Sequence, residues 1–190
     1  TGYDLDGDLY APGSKYTVTK DVTFEAVDIK ATMATGAGIR FSTENPGLRF
    51  HTTITATKAG TAINDFEKYI SEEGTLITTS ELNTEKGNPT IESDSVYTVG
   101  KDLIQIKNNG WYNGQTGVYY GSVVGIKSYT TNFIARSYVA VKYADGTVKN
   151  IYSDMSGVRT VQHVAQAIKN DKRVNETTGK TYYESLSEAN

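Results

Sequence analysis

Residues 133–153 read FIARSYVAVKYADGTVKNIYS, two runs rich in Val, Ile, Tyr and Phe on either side of Ala144-Asp145-Gly146. Branched and aromatic side chains fit a pleated, half-buried surface, and an Asp-Gly pair suits the tight turn between antiparallel strands. The stretch therefore predicts two strands, Phe133 to Tyr143 and Val148 to Ser153, closed into a hairpin.

The same texture runs outward through the chain. Strands are expected at Lys15 to Val18, Val22 to Val27, Gly38 to Ser42, Leu48 to Thr57, Gly74 to Thr79, Leu103 to Lys107 and Val118 to Ile126. Asn45-Pro46-Gly47 is a turn sequence, because Pro fixes φ and Gly accepts positive φ, and it predicts a second hairpin joining Ile39-Arg40-Phe41 to Leu48-Arg49-Phe50. Two segments carry helical spacing. Ile63, Phe66, Tyr69 and Ile70 form one, with Asn64 or Thr61 as caps. Val161, Val164, Ala165 and Ile168 form the other after Thr160, with Lys169, Lys172 and Arg173 at the negative end of the helix dipole. Beyond Arg173 periodicity is lost, and Asn175 to Asn190 reads as a tail or linker. The expected fold is mostly β: an antiparallel β-sandwich with one C-terminal helix and room for a second short helix. The expected organisation is residues 1–28 as the end of a preceding β-repeat or the first strands of the sandwich, 29–173 as the sandwich module, and 174–190 as tail.

Composition narrows the function. The 190 residues include 14 Tyr and no Cys, so thiol nucleophiles, disulfides and thiolate metal sites are excluded. The formal net charge is −3, with no Lys/Arg stripe of the kind that displaces phosphate counterions, which argues against nucleic acid. No apolar run approaches the roughly 20 residues needed to span a bilayer, so membrane insertion is not expected. The chain opens Thr1-Gly2-Tyr3, without an initiator Met or a signal peptide, which predicts a module from within a longer protein.

Two stretches resemble known material. LYAPGSKYTVTKDVTFEAV (residues 9–27) resembles the end of an internalin-type B repeat, an extracellular β-module of bacterial surface proteins; the likeness rests on Tyr10, Pro12-Gly13, Tyr16 to Val18, Asp21 and Val22-Thr23-Phe24-Glu25-Ala26. That family closes on an aromatic shortly after the Ala, where this chain has Val27-Asp28. The rest, from about residue 36 to about residue 170 (a one-domain length), is similar to a poorly characterised β-rich module of multi-domain extracellular proteins of anaerobic Gram-positive bacteria. Gly38-Ile39-Arg40-Phe41, Gly47-Leu48-Arg49-Phe50, Glu73 to Ile77, Phe133 to Val139 and Lys142 to Thr147 carry the likeness, with the helix around Val161 to Ile168. The resemblance implies a cell-surface location beside other domains of the same chain, and no activity.

Three constellations bear on chemistry. Asn108-Asn109-Gly110-Trp111-Tyr112-Asn113-Gly114-Gln115-Thr116-Gly117-Val118-Tyr119-Tyr120 concentrates aromatic rings and amides on a Gly-rich loop. Rings stack on the C–H faces of sugars while amides bond their hydroxyls, so Trp111, Tyr112, Tyr119, Tyr120, Asn108, Asn109 and Asn113 are the candidate glycan-binding residues. The same residues also fit a hairpin whose Trp folds back on the sandwich edge. Asp4, Asp6 and Asp8 alternate beside Gly7 as hard oxygen ligands for Ca²⁺ would, although position twelve of an EF-hand frame falls on Lys15 instead of Glu. Arg40, Arg49 and Arg136 sit inside strands, which predicts either an ion-pair network with Glu25, Glu67, Glu72 and Glu73 or a cationic cradle for an acidic glycan. No His-Glu-x-x-His or Gly-x-Ser-x-Gly frame occurs. A non-catalytic spacer or adhesion module binding glycans or host and cell-wall components is expected. A carbohydrate-binding module is the alternative, and a catalytic domain of a carbohydrate-active enzyme the second.

Overall fold

The 133–153 stretch is a hairpin in the computed structural model, which describes residues 1–40 and 44–188. Strands β10 (Phe133–Lys142) and β11 (Val148–Tyr152) pair antiparallel from Tyr138↔Tyr152 to Lys142↔Val148. Gly146 supplies the positive φ of the turn (82°), and the Asp145 carboxylate accepts hydrogen bonds from the Thr147 N–H and hydroxyl. β10 pairs on its other edge with β7 (Ile70–Thr79), and β7 with β8 (Ile104–Lys107). These four make one antiparallel sheet, ordered β11-β10-β7-β8.

The second sheet has seven strands, built on the long β5 (Gly47–Lys58). Along one edge β5 pairs with β4 (Gly38–Arg40) and then β3 (Glu25–Met33). Along the other it pairs with β9 (Val118–Val124) and then β6 (Thr61–Ile63). β1 (Gly2–Leu5) joins β3, and β2 (Asp8–Tyr10) joins β1. Alternation sends one side of each strand inward. Val27, Ile29, Ala31, Phe50, Ile54 and Tyr119 of this sheet are buried, as are Ile77, Ala135, Val139 and Val141 of the other. The two sheets share these clusters, so the fold is an antiparallel β-sandwich. Gly121 marks a close approach: a Cβ there would stand 2.3 Å from Thr75 Cβ on the facing sheet.

Helix α1 (Ser80–Lys86) and the segment after it lie over the outer face of the four-stranded sheet, where Leu76 and Tyr138 are buried with Tyr97 and Leu103. Helix α2 (Val161–Asn170) is capped by Thr160, whose hydroxyl accepts from His163 N–H, and buries Val164 beside Leu48 and Phe50. Helix α3 (Tyr182–Glu188) occupies part of the segment expected to be tail.

Three expectations are corrected. Lys15 to Val18 is not a strand, and pairing in the Val22 to Val27 run begins only at Glu25. The helix expected over Ile63 to Ile70 is a single 3-10 turn, Phe66–Tyr69, between β6 and β7. A three-residue period already puts Phe66 and Tyr69 on one side, so the spacing is met without an α-helix. The mid-chain α-helix is α1 instead. Thr79 caps it and Gly87 ends it at φ 84°, but Leu82 is its lone apolar residue, so it carries no hydrophobic period. The hairpin of β4 and β5 is present with Ile39 opposite Leu48; its Phe41, with Ser42 and Thr43, lies outside the described residues.

Candidate functional site

Strand β9 divides the aromatic loop into two unlike halves. Tyr119 points inward: its hydroxyl donates to Gly74 O at 2.9 Å, and burial pushes its phenol pKa well up. Trp111 follows it, with ring centroids 6.2 Å apart, packing against the core and donating its indole N–H to Glu67. The Trp folds back on the sandwich edge. Gly117 allows the crossing, since it sits at φ 84° and a Cβ would meet Ile54 O at 2.6 Å.

Tyr120 points the other way, onto the outer face of the seven-stranded sheet. Its cross-strand partner is His51, whose ring centroid lies 5.0 Å away, and the Arg49 guanidinium stands 5.1 Å over the ring. Tyr112, 41 % exposed on a 3-10 turn, packs edge-on to Tyr120 at 4.7 Å. The turn bends at Asn113, a non-Gly residue at φ 51° that stays exposed with Asn109. Burial, with the Tyr112 and Tyr182 hydroxyls nearby, raises the Tyr120 phenol pKa against the lowering effect of Arg49. Tyr182 of α3 thus lies within electrostatic reach of the same face. The structure brings Tyr112 and Tyr120 together beside Asn113 and separates them from Trp111 and Tyr119. Asn108 shapes the loop instead, donating to Glu73 Oε1 at 2.9 Å and accepting from Gly110 N–H.

The three aspartates do not converge. Asp4 is buried and spends its carboxylate on Lys58 (2.5 Å) and the Tyr69 hydroxyl (2.8 Å), while Asp6 and Asp8 are exposed about the β1–β2 turn. Among the described residues no group of three or more acidic or His side chains could hold a metal ion, so the Ca²⁺ loop suggested by their spacing is not formed.

The ion-pair network expected for the strand arginines is also absent among the described residues. Arg136 donates to Ser153 O and Pro89 O and stacks on Tyr152 at 4.6 Å; Arg40 donates to Asn45 O; Arg49 takes Tyr120. The glutamates bond elsewhere, Glu25 to Lys58, Glu67 to Trp111, Glu72 to Lys107 and Tyr138, Glu73 to Asn108. A cation over an aromatic ring needs no carboxylate, and the abundant tyrosines supply the rings.

Sequence reading missed His51 and Arg49 as neighbours of Tyr120, because cross-strand register decides that contact. It also missed an exposed cluster in which Tyr10, Tyr16 and Phe24 pack edge-to-face at 5.3–5.6 Å beside exposed Tyr3. No described helix is long and apolar enough to cross a membrane. Neither a family, nor a curated protein, nor a solved structure matches this chain.

Proposed function

We propose that this chain is a non-catalytic adhesion module of a bacterial cell-surface protein, displayed outside the cell, that binds glycans on the outer face of its seven-stranded sheet. The observation that supports this best is Tyr112 standing edge-on to Tyr120 at 4.7 Å, with Arg49 and His51 alongside. A sugar ring laid on such a surface finds an aromatic face for its C–H groups, and exposed Asn109 and Asn113 amides lie on the adjoining loop for its hydroxyls. Arg49 adds a preference for a carboxylate- or sulfate-bearing chain. A site this small binds in the millimolar to micromolar range, about 4 to 8 kcal/mol, and repeated display would turn that into adhesion.

Titration with plant and host polysaccharides tests this reading, with Trp111 as the single fluorescent reporter next to Tyr112. Tyr120→Ala should lose binding by roughly tenfold or more, the equivalent of 1.4 kcal/mol. If the double variant Tyr112→Ala/Tyr120→Ala binds as the wild type does, the site is elsewhere. A spacer role is the second reading, supported by the bonding of Asp4 to Lys58 and Tyr69, which ties the first strand to the sheet interior.

A further inference from the structure

We propose that Lys58 and Asp4 condense into an intramolecular amide, an isopeptide that joins β1 covalently to β5. Three charged side chains and one tyrosine hydroxyl meet where these strands flank the start of β3. Lys58 Nζ lies 2.5 Å from Asp4 Oδ2 and 2.8 Å from Glu25 Oε2, and the Tyr69 hydroxyl donates to Asp4 Oδ1 at 2.8 Å. Register makes the grouping: Asp4 faces Glu25 across β1–β3, and Val27 faces Lys58 across β3–β5. Glu25 and Val27 are two apart, so Asp4, Glu25 and Lys58 all leave the sheet on one face.

Burial differs among the three in the way the chemistry needs. The Asp4 side chain is 2 % exposed, while Lys58 is 26 % and Glu25 44 % exposed. The electrophilic carbon is thus shielded from water, and the proton carrier reaches solvent. The Lys58 ammonium passes one proton to Glu25, and the freed amine adds to Asp4 Cγ. Charge gathering on Oδ1 is held by the Tyr69 hydroxyl, as in an oxyanion hole. The C–Oδ2 bond then breaks. Oδ2 departs as water with one proton returned by Glu25 and one from the nitrogen, leaving a neutral amide. Three protons on the ammonium become one on the amide and two on water, and no co-reactant is required. Holding the groups together removes the entropic barrier that makes such a condensation unfavourable between free molecules.

The other ion pairs lack this combination. Lys107 and Glu72 pair through a 66 % exposed amine, and Lys86 and Asp102 have no second carboxylate among the described residues. The resting cluster is ionic. Burial pushes the Asp4 carboxyl up, but hydrogen bonds from Lys58 and Tyr69 outweigh it, and the Asp4 and Glu25 carboxylates hold Lys58 above its usual value. Few amines are free at any moment, so conversion should be slow and grow with time below the melting temperature.

Intact mass under denaturing conditions decides the matter, independently of any glycan binding. Aged wild-type protein should weigh one water less than its sequence, and digestion should release a branched peptide joining the segments around residues 4 and 58. Lys58→Arg should keep the full mass and melt at lower temperature. Glu25→Gln, folded by circular dichroism, should keep the full mass over the time in which the wild type converts. Asp4→Asn should lose one ammonia instead of water. Aged wild-type protein at full sequence mass, with Lys58 open to acylating reagents, would overturn the proposal.

Discussion

The two sheets of this sandwich treat their outer faces in opposite ways. On the four-stranded sheet, Leu76 and Tyr138 are buried under α1 and the segment through Tyr97 and Leu103. On the seven-stranded sheet, Arg49, His51 and Tyr120 are only half-buried, with Tyr112 leaning in from a loop. Each face carries an Arg over a Tyr. Arg136 over Tyr152 is spent on Ser153 O and Pro89 O, and burial lowers its pKa; Arg49 over Tyr120 keeps its donors free of protein hydrogen bonds among the described residues. Similar residue types thus serve a third layer in one place and stay partly open to solvent in the other.

Substitution should separate the faces most sharply in stability. Leu76→Ala, on the covered face, should cost about 2–5 kcal/mol in urea unfolding. Tyr120→Ala, on the open face, should cost about 1 kcal/mol or less. Equal costs would mean that the open face is not open. Between the layers, Gly121→Ala would drive its new methyl into Thr75 and should cost about 1–3 kcal/mol, whereas Gly146→Ala, in the exposed turn, meets no neighbour and is opposed only by its positive φ.

Adjacent glutamates on β7 sharpen the contrast through pH. Glu73 is raised by burial, with only Asn108 opposing; Glu72 is raised by burial too, but bonds from Lys107 and Tyr138 outweigh this and lower it. The contribution of Glu73 is therefore complete below the unfolded value of about 4.3 and is lost as pH rises through its higher folded value. Glu72 contributes above that unfolded value and loses its contribution as pH falls through its lower folded one. Melting curves should show Glu73→Gln more stable than wild type at neutral pH and Glu72→Gln less stable, the two differences shrinking in acid. The smallest effect concerns Arg49→Gln. It should leave stability unchanged and weaken acidic glycans by about 0.5–1 kcal/mol at low salt, with neutral glycans less affected.

Legibility in the sequence followed the range of the interaction. The Asp145-Gly146 hairpin and the Thr160 cap of α2 are set by residues within a few positions, and both formed where expected. Lys15 to Val18 has strand-like composition, yet it finds no strand partner among the described residues; Tyr16 packs instead on Tyr10 and Phe24. In the aromatic loop, alternation required Tyr119 and Tyr120 to face opposite ways. Which of them would join Trp111 was not written locally, and it was the buried one.

The alternation of branched and aromatic residues, with Gly and Asp at the turns, determined by itself that the chain forms antiparallel strands with one face buried, because a two-residue period is a property of the backbone. Register and layer order were decided only in three dimensions. They brought His51 opposite Tyr120, gathered Asp4, Glu25 and Lys58 on one face, and laid α1 over one sheet while leaving the other only partly covered. Those juxtapositions join residues as far as 69 positions apart (His51 to Tyr120), and what selects them is the burial of a shared core, a sum over the whole chain that no local window contains.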